Sequence, residues 1–215
     1  MKGEFILALD EYFCEKYENY DKLCIIDGYK MPKMQTTEVR DGRKFSYTLP
    51  ANTMRLSLQE NKAEILAKLK ECVVDQSFSF SFIPLKFFSI IRNKLDPLGF
   101  KKVLKNILAK KTMTKADLLK ELTISEKIWK KVCKGDFLPT KNLIFSVALA
   151  GNFSYEETVA LLNSCEYEWD FTLVKDVVVS YLVSQKIFNT DMVWACLDEY
   201  NVSNLYLAGK KEENA

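Results

Sequence analysis

Hydrophobic positions in this chain recur mostly at helical spacing and only locally with the two-residue period of a strand. Residues 4–18 place Phe5, Ile6, Leu9 and Phe13 on one side of an amphipathic helix. Residues 22–26 and 44–49 read as short strands, the second alternating Phe45, Tyr47 and Leu49 with polar neighbours. Between them residues 31–43 are polar and carry Pro32, Asp41 and Gly42, which predicts a turn or loop. Asn52 or Thr53 opens a long helix to about Cys72, and Phe78, Phe80 and Phe82 alternate with serines as the clearest strand signal. A further helix over 85–94 stops at Asp96-Pro97-Leu98-Gly99, a tetrapeptide that cannot continue it.

Beyond that break the period is helical throughout. Residues 99–111 put Phe100, Val103, Leu104, Ile107 and Leu108 on one side and Lys101, Lys102, Lys105 and Lys110 on the other. Thr114 with Asp117 three residues on forms an N-cap, and Leu118, Leu119 and Leu122 share the face of the short helix that follows. Ser125 caps the next helix, in which Ile128, Trp129 and Val132 turn inward and Lys127, Lys130, Lys131 and Lys134 stay outside. Gly135 ends it in the left-handed conformation that other residues avoid. Pro139 and Thr140 begin a helix over 143–150 so apolar that it must be buried on most sides, and Ser154, with Glu156 and Glu157, caps another containing Val159, Leu161 and Leu162. Two more helices follow, over 173–185 and 190–200, the last capped by Asn189 or Thr190. The fold class is therefore α+β and mostly helical. A small α+β domain occupies 1–96, a helical domain with a C-terminal helical hairpin 99–208, and a disordered tail 209–215.

Two short helices separated by a few residues form the unit that sets one helix into the major groove of DNA. Thr114 and Leu118, Ile124-Ser125, Ile128 and Val132, Lys134-Gly135 and Pro139-Thr140 leading to Leu143 follow the landmarks of the Xre/Cro phage-repressor family, which residues 98–165 resemble. The resemblance implies a five-helix bundle whose recognition helix begins at Ser125. The sequence departs from that family at Leu119, where a small residue is usual, at Lys115, where Gln is favoured, and at Glu126, a carboxylate near the place of a base-reading side chain.

Charge sharpens this picture. The chain carries a net charge of only +2, but from Lys101 to Lys134 eleven lysines face three acids, about +8, whereas residues 151–215 hold four lysines and eleven acids, or −7. A basic stripe through a helix-turn-helix is the footprint of a phosphate-binding face. Lys115, Lys127, Lys130, Lys131, Lys134 and Lys141 are its candidate nucleic-acid contacts. The stripe holds no arginine for bidentate guanine contacts, and the acidic C-terminal hairpin is a candidate for covering it or for pairing two copies as a homodimer. The partner is thus DNA or, if the fold has lost DNA reading, another protein.

Other chemistry is thinly represented. The chain has no histidine, which removes Ser-His and Cys-His arrangements and the commonest metal ligand, and its seven glycines form no phosphate loop. Six scattered cysteines, without a Cys-x-x-Cys pair, read as buried thiols, and Trp129, Trp169 and Trp194 as core. No cofactor, metal or enzymatic activity is expected. No stretch approaches the length of an apolar membrane span, and acids interrupt any signal-like N-terminus, so a cytoplasmic location is expected. The sequence as a whole points to a non-enzymatic regulatory protein, with an interaction module as the alternative.

Overall fold

A computed structural model describes residues 3–18, 35–40, 43–48, 62–72, 83–84 and 99–209. Among them the chain is mostly helical, with nine helices: α1 (Glu4–Lys16), α2 (Lys62–Cys72), α3 (Phe100–Lys110), α4 (Lys115–Lys120), α5 (Glu126–Lys134), α6 (Lys141–Ala150), α7 (Tyr155–Asn163), α8 (Val174–Ser184) and α9 (Thr190–Glu199). Strands β1 (Gln35–Arg40) and β2 (Arg43–Thr48) pair antiparallel with Arg40 opposite Arg43, and β3 (Ile83–Pro84) pairs antiparallel with β4 (Phe137–Leu138). No described helix is long and apolar enough to cross a membrane.

Strand β2 falls where the alternation of Phe45 and Tyr47 predicts one. Strand β1 corrects the expectation of a loop over 31–43: Thr36, Thr37 and Val39 are β-branched, and such side chains suit a pleated strand despite their polar surroundings. The predicted strands at 22–26 and 78–82, the helix at 85–94, the 96–98 portion of the break and the tail beyond Gly209 lie outside the described residues. Of the long helix predicted from Asn52, the described part is α2.

The chain divides into two compact units that do not follow sequence order. The first comprises Met1–Val74, Asp170–Val178 and Cys196–Val202, the second Asp75–Trp169, Val179–Ala195 and Ser203–Ala215. The first has a stripe of Ile6, Leu9 and Phe13 along α1, continued by Tyr17 just past its end, all buried. The Phe13 ring stacks on Tyr17 at 4.7 Å and on Tyr200 at 4.5 Å between centroids. Ile65, Leu66 and Leu69 of α2 are buried in the same unit. Lys70 reaches two carboxylates there, Asp10 at 2.6 Å and Glu199 at 2.7 Å.

The second unit is organised by α6, in which every residue from Asn142 to Leu149 is buried, as its apolar sequence requires. Phe100, Leu104, Ile107 and Leu108 of α3 and Leu161 and Leu162 of α7 supply more of its core. Phe145 stacks on Trp169 at 5.2 Å, and Trp169 on Tyr155 at 5.7 Å. The predicted caps form. Thr140 Oγ1 accepts from the Leu143 amide at 3.2 Å, and Ser154 with Glu157 makes a reciprocal capping box. Asn189 Oδ1 accepts from the amides of Asp191 and Met192 and so caps α9.

Candidate nucleic-acid interface

The helix pair α4 and α5 is assembled by local chemistry at each end of its two helices. At the start of α4, Thr114 Oγ1 accepts from the Asp117 amide at 3.1 Å, while Asp117 Oδ2 accepts from the Thr114 amide at 3.2 Å and from its hydroxyl at 2.6 Å. The Thr114 hydroxyl and the Lys120 ammonium hold the Asp117 carboxyl below its ordinary range. At the start of α5, Ser125 Oγ accepts from the Ile128 amide at 3.4 Å. At its end Gly135 sits at φ 80° and ψ 23°; its amide donates to the Val132 carbonyl and that of Asp136 to the Lys131 carbonyl, both at 2.9 Å. That pair of bonds is a Schellman stop, and the left-handed residue it needs is the reason for glycine here.

A side-chain hydrogen bond joins the helices. Trp129, only 3% exposed, donates its indole N–H to the Lys115 carbonyl at 3.1 Å and so ties α5 to the first residue of α4. Leu118, Leu122, Trp129 and Val132 are buried, but Leu119 and Ile128, both predicted to face inward, are half-buried. Five residues, Glu121 to Ser125, separate α4 from α5, because α4 ends at Lys120 rather than near Leu122. A segment over 206–208, for which the sequence predicts no element, braces this connection. The Thr123 amide donates to the Tyr206 carbonyl and the Ala208 amide to the Glu121 carbonyl, both at 2.9 Å, and Leu122 and Leu207 form an antiparallel bridge. The alternation of Leu205 and Leu207 about Tyr206 was the one available signal.

The six candidate lysines do not form one uniform surface. Lys127, Lys130 and Lys134 are exposed and, at positions i, i+3 and i+7, occupy one face of α5. Lys131 is half-buried, with its ammonium 4.8 Å from the centre of the Phe137 ring. Lys141 is half-buried beside Phe145 at 5.6 Å. Lys115 is half-buried at the head of α4, close enough to draw down the Cys133 thiol, which burial nevertheless pushes up to about 11. The structure therefore brings three of the six together in solvent. Lys130 is shared with Glu126 through an i,i+4 ion pair of 2.5 Å on that same exposed side.

Other cations of the basic stripe are also engaged. Lys111 donates to the Asn152 carbonyl at 2.8 Å and lies 3.2 Å from Glu157, and Lys120 lies 3.1 Å from Asp117. Among the described residues no group of three carboxylates or thiols could hold a metal ion. The chain matches no protein-family model, no curated protein and no solved structure.

Proposed function

We propose that the chain is a non-enzymatic regulatory protein whose helix-turn-helix, α4 and α5, binds duplex DNA through Lys127, Lys130 and Lys134. The observation that carries this reading is the exposed lysine face of α5, placed on the second helix of a capped and braced pair. Ammonium groups at this spacing can meet successive phosphates, and phosphate contacts supply affinity without regard to sequence. Lys131 and Lys141, drawn toward aromatic rings, and Lys115 make smaller contributions. In this reading residues 98–165 belong with the Xre/Cro repressors, residues 1–96 form a small α+β domain that senses or pairs, and the protein works in the cytoplasm.

The test is fluorescence anisotropy with a labelled duplex of arbitrary sequence at low and physiological salt. The wild type should bind more weakly as salt rises, by about 0.9 in log affinity per log salt for each phosphate neutralised. Changing Lys127, Lys130 and Lys134 together to Gln should abolish binding, whereas Lys131→Gln should weaken it far less. Folded wild type that fails to bind at low salt would reject the reading.

One observation favours a second reading, a protein-interaction module on the same fold. Glu126 places a carboxylate in the first turn of α5 and neutralises Lys130, an arrangement suited to a mixed-charge protein surface.

A further inference from the structure

Helix α4 and the residue after it wall a cavity of about 340 Å³ in the second unit. Its aromatic surface comes from Phe188 and Trp194 and its aliphatic surface chiefly from Leu149, Val193 and Leu207. Its polar lining comes from Asn152, Thr190 and two carboxylate residues, Asp117 and Glu121, four positions and so about one helical turn apart. No lysine or arginine is among the described residues that line it, although Lys101 to Lys134 is the most basic stretch of the chain.

Each wall is fixed. The Asp117 carboxylate is held by Thr114 on one oxygen and by Lys120, at 3.1 Å, on the other. Glu121 is exposed at the rim, and its carbonyl accepts the Ala208 amide at 2.9 Å, which anchors the Leu207–Ala208 side. A partly apolar space with two aromatic residues and two acids, of which Asp117 is already paired with Lys120, discriminates by charge chiefly through Glu121. An anion entering it is repelled, a neutral molecule gains only apolar burial, and a cation gains in addition the Glu121 carboxylate and the attraction of neighbouring aromatic rings. The volume lies at the lower end of small-molecule sites, enough for a single ring or an equivalent aliphatic body with a short arm.

We propose that this cavity binds a small organic cation, an apolar body carrying an ammonium group, with the ammonium beside Glu121 and the body against Trp194 and Phe188. The site is independent of whether α5 contacts DNA.

Isothermal titration of the full chain with three probes of one size tests it: 2-phenylethylammonium, 2-phenylethanol and 3-phenylpropionate. The ammonium should bind about tenfold more tightly than the alcohol, the sum of a cation–π contact and a partly exposed ion pair, and the carboxylate more weakly than either. Glu121→Gln, a substitution at an exposed position, should narrow the gap between ammonium and alcohol to about threefold or less while leaving the affinity for the alcohol unchanged. Equal binding of ammonium and alcohol, an undiminished gap in Glu121→Gln, or no heat from the ammonium at about 5 mM would overturn the proposal.

Discussion

Replacing Lys70 by methionine removes the charge at the centre of the first unit's polar cluster and leaves most of the aliphatic stem in place. The ammonium lies 2.6 Å from Asp10 and 2.7 Å from Glu199, and 4.6 Å from the centre of the Tyr200 ring. Tyr200 donates its hydroxyl to the same Asp10 oxygen at 2.7 Å. The Lys70, Asp10 and Glu199 side chains are 12%, 19% and 22% exposed, so water screens them far less than it screens a surface pair. Removing one partner of a buried pair costs about 3–5 kcal/mol, because the remaining charge stays in a poorly solvated place. Residual exposure and the Tyr200 hydrogen bond move this case to the low end, about 3 kcal/mol. For a chain of this size that corresponds to a fall in Tm of roughly 6–12 °C. Adding Asp10→Asn to Lys70→Met should recover part of the loss, since Asp10 and Glu199 no longer repel each other. Urea unfolding of wild type, single and double variants, followed by far-ultraviolet circular dichroism, measures both effects. A Lys70→Met cost below about 1 kcal/mol, the range of exposed pairs, would refute the assignment of a desolvated cluster.

At the end of α5, Gly135→Ala places a Cβ at φ 80° and should cost about 1–2 kcal/mol, with Gly135→Asn costing less. Thermal melts of the three proteins in parallel check this, and an alanine variant as stable as wild type would contradict the Schellman stop. Burial pushes the thiols of Cys14, Cys133 and Cys165 up to about 11 and that of Cys196 up to about 12. Ellman's reagent at about pH 8 should therefore label these four slowly in the native protein and rapidly in denaturant. Their folded pKa values lie above the unfolded value of 9.0, so the stability they contribute is complete below about pH 9 and is lost as pH rises toward 11–12. Urea midpoints measured from about pH 8 to 11 should decline accordingly, and a flat profile would count against burial of the thiols.

Features decided within three or four residues were legible in the sequence. Thr114 with Asp117, Ser125, Thr140 and Ser154 cap helices because a hydroxyl two or three residues before an amide can reach it in any context. Gly135 stops α5 for an equally local reason. Strand β1 is obscured by Pro32, Asp41 and Gly42, which read as a loop over the whole stretch, whereas Asp41-Gly42 separates two strands by only two residues. The pairing of Ile83–Pro84 with Phe137–Leu138 is too short to show a period. Side-chain fates decided by distant partners were also out of reach. Nothing near Lys111 in sequence announces Asn152 and Glu157, and nothing in α8 marks Lys175 and Asp176, 3% and 1% exposed, as buried. Asp176 Oδ1 accepts the Asp170 amide at 2.8 Å and so ties the first turn of α8 to the segment before it.

In the proposed DNA-binding reading, the same long-range partners determine how much of the basic stripe is free to meet phosphates. On α5 four lysines stand against Glu126, a net charge of +3, and Lys131 is partly turned to Phe137. Three neutralised phosphates give a salt slope of about −3, and hence roughly a fortyfold loss of affinity between 50 and 200 mM salt. A protein making six to ten phosphate contacts loses about 10³–10⁵ over the same interval. The slope therefore counts the interface. A value near −3 means that α5 binds alone, whereas a steeper one requires further cations, such as Lys115 and Lys141 or the exposed Lys101, Lys105 and Lys110 of α3. Base selection should be weak in either case. From Gly99 onward the chain has no arginine to grip a guanine, and the first turn of α5, from which repressors read bases, presents Glu126 paired with Lys130. Duplexes of unrelated sequence should thus bind within a few-fold of one another. A strong preference for one of them would show that residues other than the lysine face of α5 make the decisive contacts.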